Sequence, residues 1–321
     1  MELPEVSCAR GCSRARARRR HGALLLLTGL CALGGGLSAM AGCASTPSGA
    51  AKAGIPLSPV PLYGKFVWHD LVTHDPSAVK RFYGQLLGWE FQDVRGAARP
   101  YSLIKSEGRW IGGIVQPTSA AGREAASQWL GYLSVPDVDG AVAQVTASGG
   151  KVLAGPEDVR DIGRAVVVAD PQGAPVGFVR SQPGDPADTG MPQVGQFLWM
   201  EQLAEDPVAA VAFYKGLLGY EVEERNEGGG PYHVLMQGPR PRAGIFRKPV
   251  DDVRPNWLTY VRVADPAALL ERVVALGGRV VMAPRPDVRG GSLALIADPS
   301  GAVLALQRYP FEAAGTTAAS P

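Results

Sequence analysis

Trp68-His69-Asp70-Leu71, Asp75-Pro76 and Phe82-Tyr83-Gly84-Gln85-Leu86-Leu87-Gly88-Trp89 recur as Trp199-Met200-Glu201-Gln202, Asp206-Pro207 and Phe213-Tyr214-Lys215-Gly216-Leu217-Leu218-Gly219-Tyr220, 131 residues further on (68 against 199). A period of that length is a duplicated domain. Further along, Trp129 maps to Trp257, Gly149-Gly150-Lys151 to Gly277-Gly278-Arg279, and Asp170-Pro171 to Asp298-Pro299, now 128 apart (170 against 298). The difference falls between modules, where a change of loop length costs little.

A fainter repetition runs inside each copy. Asp75-Pro76 opens a helix with Val79, Phe82, Tyr83, Leu86 and Leu87 on one face, the aspartate as N-cap, the proline in the first turn and Gly88 as the stop. Val135-Pro136-Asp137 opens a second, with Val138, Ala141, Val142 and Val145 as its stripe and Gly149-Gly150 at its end. One strand-like run precedes each helix and three follow it. They are Trp89 to Val94, Tyr101 to Lys105 and Trp110 to Val115 after the first helix, then Lys151 to Ala154, Ala165 to Ala169 and Pro175 to Arg180 after the second. The expected class is α+β: four βαβββ modules in two domains, 61–182 and 193–311, joined by a Pro-, Gly- and Asp-rich linker, with a disordered tail at 312–321.

The N-terminal stretch reads as an address. Six arginines between Arg10 and Arg20 precede an apolar run from Ala23 to Leu33, then small residues and Met40-Ala41-Gly42-Cys43. That order is an export signal over 1–42, and its end resembles a bacterial lipobox, cut before a cysteine that then carries lipid. An uncleaved anchor helix is the alternative; Gly34-Gly35-Gly36 argues against it. The four cysteines, Cys8, Cys12, Cys31 and Cys43, lie at or before the cut, so the body has no disulfide framework and no cysteine nucleophile. Residues 43–60 read as a flexible tether. The expected location is the bacterial cell envelope, anchored to membrane through lipid on Cys43, by the Sec or the twin-arginine route.

Charge adds an exclusion. The formal total is +2, from 32 Lys and Arg against 30 Asp and Glu, but the leader holds six of those arginines and only Glu2 and Glu5. The body is therefore slightly acidic, and no nucleic-acid partner is expected. Oligomeric state is left open.

The tandem module, the Asp-Pro helix entry, the Phe-Tyr-x-x-Leu-Leu-Gly helix end and the Asp-Pro-x-Gly turn together resemble the vicinal oxygen chelate superfamily of glyoxalases, bleomycin resistance proteins and extradiol dioxygenases. The resemblance covers nearly all of the chain after the tether. It implies two cup-shaped mixed β-sheets with helices on the convex side and the site in the cup, and in metal-dependent members ligands from the first and last strand of each module. Counted as the resemblance directs, the first-strand positions are Trp68, Leu130, Trp199 and Leu258, and two of the last-strand positions are Gly177 and Ala305. The remaining strands, Trp110 to Gln116 and Arg242 to Arg247, contain no His, Asp, Glu or Cys. No metal and no cofactor are therefore expected, since a divalent cation needs imidazole, thiolate or carboxylate donors. Of the body's histidines, His69 is expected on the helix side of the sheet, and His74 and His233 exposed or in turns. No Gly-x-Ser-x-Gly elbow is present.

Alternation along the strands puts Trp68 with Asp70, Leu130 with Tyr132, Trp199 with Glu201, and Leu258 with Tyr260 on one face. If that face is the concave one, each cup holds a tryptophan, a tyrosine and a carboxylate, a mixture suited to a hydrophobic or aromatic small molecule. The competing readings are tryptophans that fill a lost metal site and acids that sit in water at strand ends. Three functions follow: metal-free binding of such a molecule for resistance or sequestration; a metal-independent lyase or isomerase, with Asp70 or Glu201 as base and Tyr132 or Tyr260 as acid; and an envelope scaffold with filled cups.

Overall fold

The computed structural model describes residues 56–97, 99–117, 126–159, 161–226 and 230–310. The segments read from the sequence as export signal, lipidation site at Cys43, most of the tether and C-terminal tail lie outside the described residues. The tether's last residues are tied down: Leu57 bridges Pro186, and Ser58 N donates to Asp185 O at 2.8 Å.

The first half forms β1 (Phe66–Val72), β2 (Glu90–Asp93), β3 (Tyr101–Ser106), β4 (Arg109–Val115), β5 (Gln128–Ser134), β6 (Lys151–Val159), β7 (Gly163–Ala169) and β8 (Pro175–Ser181). The second forms β9 (Phe197–Ala204), β10 (Glu221–Asn226), β11 (Pro231–Gln237), β12 (Arg240–Arg247), β13 (Asn256–Arg262), β14 (Arg279–Met282), β15 (Leu293–Ala297) and β16 (Val303–Gln307). These are two mixed eight-stranded sheets of identical order, β2-β3-β4-β1-β5-β8-β7-β6 and β10-β11-β12-β9-β13-β16-β15-β14. In each, two consecutive modules join through an antiparallel pair of first strands, β1 with β5 and β9 with β13. Modules that follow one another in the chain thus share a sheet.

The helices are α1 (Pro76–Leu87), α2 (Val138–Ala147), α3 (Pro207–Leu218) and the short α4 (Leu270–Ala275). Asp75 caps α1 by accepting from Ala78 N, and Asp206 caps α3 by accepting from Val208 N and Ala209 N. Gly88 and Gly219 end them at φ 71° and 68°, the left-handed conformation that only glycine adopts without strain.

The two halves bury apolar side chains in common clusters. Val79, Phe82, Tyr83 and Leu86 of α1 pack with Leu71, Ile114 and Trp129 of their own sheet and with Val261, Ile296, Leu304 and Leu306 of the other. The reciprocal cluster joins Val138, Ala141 and Val145 of α2 to Ala210 and Tyr214 of α3, Ile245 and Trp257. The convex faces therefore share their cores, and the concave faces are left for other work. Each sheet thus buries part of its apolar helix-bearing face against the other half. His69 lies on this convex side, its ring stacked 4.1 Å from that of Phe197, and burial pushes its pKa down to about 3. His74 is exposed, but His233 departs from expectation: it lies within β11, only 9% exposed.

Candidate functional site

A register shift between Phe66 and Trp68 decides what the first cup contains. It turns Phe66 to the convex side, 5.0 Å from the ring of Trp257, and leaves Trp68 and Asp70 facing the concave side. There Asp70 Oδ1 accepts from Trp68 Nε1 at 2.9 Å and from the Tyr101 hydroxyl at 2.7 Å. Tyr132, opposite Trp68 on β5, completes the ring with a hydroxyl directed at the same carboxylate. Asp70 is 7% exposed, while Trp68, Tyr101 and Tyr132 are half-buried. Burial pushes Asp70 up to about 6, against the pull of the hydrogen bonds from Tyr101, Trp68 and Tyr132. Both tyrosines are pushed well above the usual phenol range by burial and then by the Asp70 charge. Among the described residues no Lys or Arg forms an ion pair with Asp70.

Two glycines make room for the phenols. Gly113 lies across from Asp70, and a Cβ there would come within 2.0 Å of the Tyr101 hydroxyl. Gly177 lies across from Tyr132, and a Cβ there would come within 2.2 Å of its ring. Where the resemblance implied last-strand metal ligands, the backbone instead withdraws to seat a tyrosine. An exposed ion pair, Arg99 Nη2 to Glu157 Oε1 at 3.3 Å, links the approach to β3 with β6 at the far end of the sheet.

The second cup repeats the arrangement with one difference. Glu201, 1% exposed, accepts from the Tyr232 hydroxyl at 2.6 Å and from the Tyr260 hydroxyl, and Trp199 Nε1 donates to Tyr232 at 3.0 Å. The reading of Asp70 and Glu201 as solvated strand-end charges is thereby overturned. Gly244 again clears space, a Cβ there reaching within 2.0 Å of the Tyr232 hydroxyl. Here, however, the Arg289 guanidinium enters the cup. It donates to Glu201 Oε1 and, at 3.0 Å, to Gln307 Oε1, and its carbon lies 5.8 and 5.4 Å from the rings of Tyr232 and Tyr260. Arg289 has φ 48°, followed by Gly290 at 59° and Gly291 at 76°. A non-glycine residue held in that region marks a turn shaped for a purpose, here the inward projection of the side chain. Leu258, Tyr260, Leu293 and Ala305, with Trp199 packed against them, fill the rest of the floor.

Among the described residues, neither cup gathers the donor set of a divalent metal. Each offers one carboxylate among phenols and an indole, short of the three or four donors such an ion takes, and no group of three His, Cys, Asp or Glu converges among the described residues. A cleft of about 250 Å³ lined by Ser148, Asp170, Pro171, Gln172, Ala209, Ala210 and Phe213 lies outside both cups. Its one ionisable group, Asp170, is already committed to Tyr214, Gln202 and its own turn.

Of the six side chains read from the sequence as lining the cups, the structure assembles Trp68, Asp70 and Tyr132 in one and Trp199, Glu201 and Tyr260 in the other. It adds Tyr101, Tyr232 and Arg289. The two tyrosines had a signal, since they too are 131 apart (101 against 232). Arg289 ends an Asp-Val-Arg triplet at 287–289 that also occurs at 158–160, but Arg160 lies outside the described residues.

A family model described as a glyoxalase-like domain matches residues 67–179 and again 199–306. The chain belongs to the glyoxalase-like family. It is 32% identical over 242 residues to CFP32 of Mycobacterium tuberculosis, which carries a provisional glyoxylase name, covering 74% of this chain and 92% of that one. It is 30% identical over 272 residues to the anthracycline biosynthesis protein DnrV of Streptomyces peucetius, covering 79% and 98%. Among solved structures it resembles the Mn(II)-bound glyoxalase of Novosphingobium aromaticivorans, with TM-score 0.50, 15% identity and coverage of 77% and 82%. It also resembles a variant of homoprotocatechuate 2,3-dioxygenase from Brevibacterium fuscum, with TM-score 0.53, 17% identity and coverage of 81% and 75%. These likenesses place the glyoxalase-like chain in the vicinal oxygen chelate fold, and at such identities the solved structures speak to fold alone.

Proposed function

We propose that the protein is a metal-free binder of a flat aromatic small molecule, held in the first cup and displayed at the cell envelope. The observation that carries the reading is Asp70: a buried carboxylate that forms no ion pair among the described residues, rimmed by three partly buried aromatic side chains on the concave face. Aromatic walls supply stacking area, and the acid supplies orientation. The second cup supports a structural role instead, because its own Arg289 occupies it. The envelope address rests on the leader and on Cys43 as the lipidated residue.

The test is a panel of mono- and polycyclic aromatic compounds titrated into the full chain, read by tryptophan fluorescence. The expected result is quenching at one site per chain that is lost in Trp68→Phe. A panel without a quencher, or quenching indifferent to position 68, overturns the reading. One observation favours a second reading, an enzyme with Asp70 as general base: its pKa, raised to about 6, suits proton transfer near neutral pH. Turnover of a bound compound with a single acidic limb near pH 6, abolished in Asp70→Asn, would promote the enzyme over the binder.

A further inference from the structure

We propose that the first cup takes the cationic end of its ligand, an ammonium, amidinium or guanidinium group carried on a flat ring. This rests on the reading of the first cup as a binding site and names the chemistry it selects. The second cup supplies the template. Asp70 corresponds to Glu201, Tyr101 to Tyr232 and Tyr132 to Tyr260, and on the second set sits a guanidinium, donating to the carboxylate and lying over both phenol rings. Arg289 is in effect a tethered ligand for this constellation.

The electrostatics of the first cup point the same way. Its aspartate accepts from an indole N–H and a phenol, which are neutral donors, so ionised Asp70 keeps on this face a negative charge that hydrogen bonds disperse but do not cancel. A cation cancels it through a charge-assisted hydrogen bond, with the ring faces adding cation–π attraction. A neutral ring leaves the charge in place, and an anionic one is repelled. Aspartate is one methylene shorter than glutamate, so the first-cup carboxylate reaches less far from its strand than Glu201 does, and the group that Arg289 provides in the other half would have to come from the ligand.

Benzamidinium, benzamide and benzoate share a shape and differ in charge, and isothermal titration of each into the full chain reads the selection. The expected result is one benzamidinium per chain, binding at least about tenfold tighter than benzamide, with benzoate undetected. Asp70→Asn, nearly isosteric, should erase the difference between benzamidinium and benzamide. Arg289→Ala should raise the stoichiometry from one to two, because it vacates the second seat. Equal binding of benzamide and benzamidinium with quenching of Trp68 would overturn the cation claim while leaving the binding site standing. No binding of any probe or aromatic compound at Trp68 would remove both. Benzamidinium binding that appears only in Arg160→Ala would show that the first cup is filled by its own arginine, and would overturn the proposal as well.

Discussion

The Tyr83 hydroxyl donates to Asp298 Oδ2 at 3.1 Å, joining the helix of the first module to the last turn of the fourth. The same oxygen of Tyr83 accepts from Trp129 Nε1 at 3.1 Å, and the other oxygen of Asp298 is held by Ser300 N and Ala302 N within its own turn. The relationship is duplicated: Tyr214 donates to Asp170 Oδ2 at 3.0 Å and accepts from Trp257 Nε1 at 2.9 Å. The Phe-Tyr helix end and the Asp-Pro-x-Gly turn, which read as separate motifs, are two sides of one contact between the halves.

Tyr83→Phe should therefore cost about 1–3 kcal/mol, since it leaves a buried carboxylate oxygen and an indole N–H without their partner. Tyr214→Phe should cost a similar amount, and the double variant the sum, because the two contacts lie in different clusters. Urea unfolding followed by fluorescence and circular dichroism measures all three. One coincident transition is expected, given the shared cores; two resolved transitions would show that the halves fold independently.

The acid in the first cup should weaken the protein at neutral pH. Its folded pKa of about 6 lies above that of an unfolded aspartate near 3.9, so between those values the folded state binds more protons than the unfolded one. The stability associated with protonated Asp70 is complete below about pH 4 and is lost as pH rises through about 6. Asp70→Asn should then stabilise the chain by about 1–3 kcal/mol at pH 7 and have little effect at pH 4. Thermal melts of both proteins at the two pH values decide it. A variant that is less stable at pH 7 than at pH 4, relative to the parent, would mean that the hydrogen bonds to the carboxylate outweigh its burial.

The second cup should behave in the opposite way, because its acid is compensated. Arg289→Met strands Glu201 at 1% exposure and should cost about 3–5 kcal/mol, whereas Arg289→Met with Glu201→Gln should recover most of that loss. A double-mutant cycle by chemical denaturation measures the coupling. Additive single effects would show that the pair contributes packing rather than charge compensation.

The duplicated strand-helix-strand pattern, its caps and its turns were legible because each depends on neighbours in sequence: Asp75 and Asp206 cap the helices they precede, and Gly88 and Gly219 stop the helices they follow. The concave facing of Trp68 and Asp70 was legible from alternation, provided the face was known. The sharing of cores was not. Val79 and Phe82 form the same apolar stripe whether they cover their own sheet or the other half's, and periodicity carries no information about which surface is met. Arg289 was hidden for another reason. A lone arginine in a Pro- and Gly-rich loop is ordinarily solvated, and only the left-handed backbone of three successive residues, two of them glycine, turns it into the cup.

That arginine breaks the symmetry that the duplicated tryptophans suggest, and a pair of matched substitutions exposes the difference. Trp68 and Trp199 occupy the same strand position, are both half-buried, and each donates its indole N–H within its own cup. If both were plain fillers, truncation of either to alanine would cost about 3–5 kcal/mol with no further consequence. Trp68→Ala is expected to fall below that range, since a ring that is only partly buried leaves a dent reached by water rather than a sealed cavity, and to weaken aromatic ligand binding by at least about tenfold. Trp199→Ala is expected to leave ligand binding unchanged, because the seat beside it is taken by Arg289. Denaturation of the two variants together with ligand titration separates the cases: equal losses of affinity would mean that both cups bind, and a full filler cost at Trp68 with affinity intact would place the ligand elsewhere.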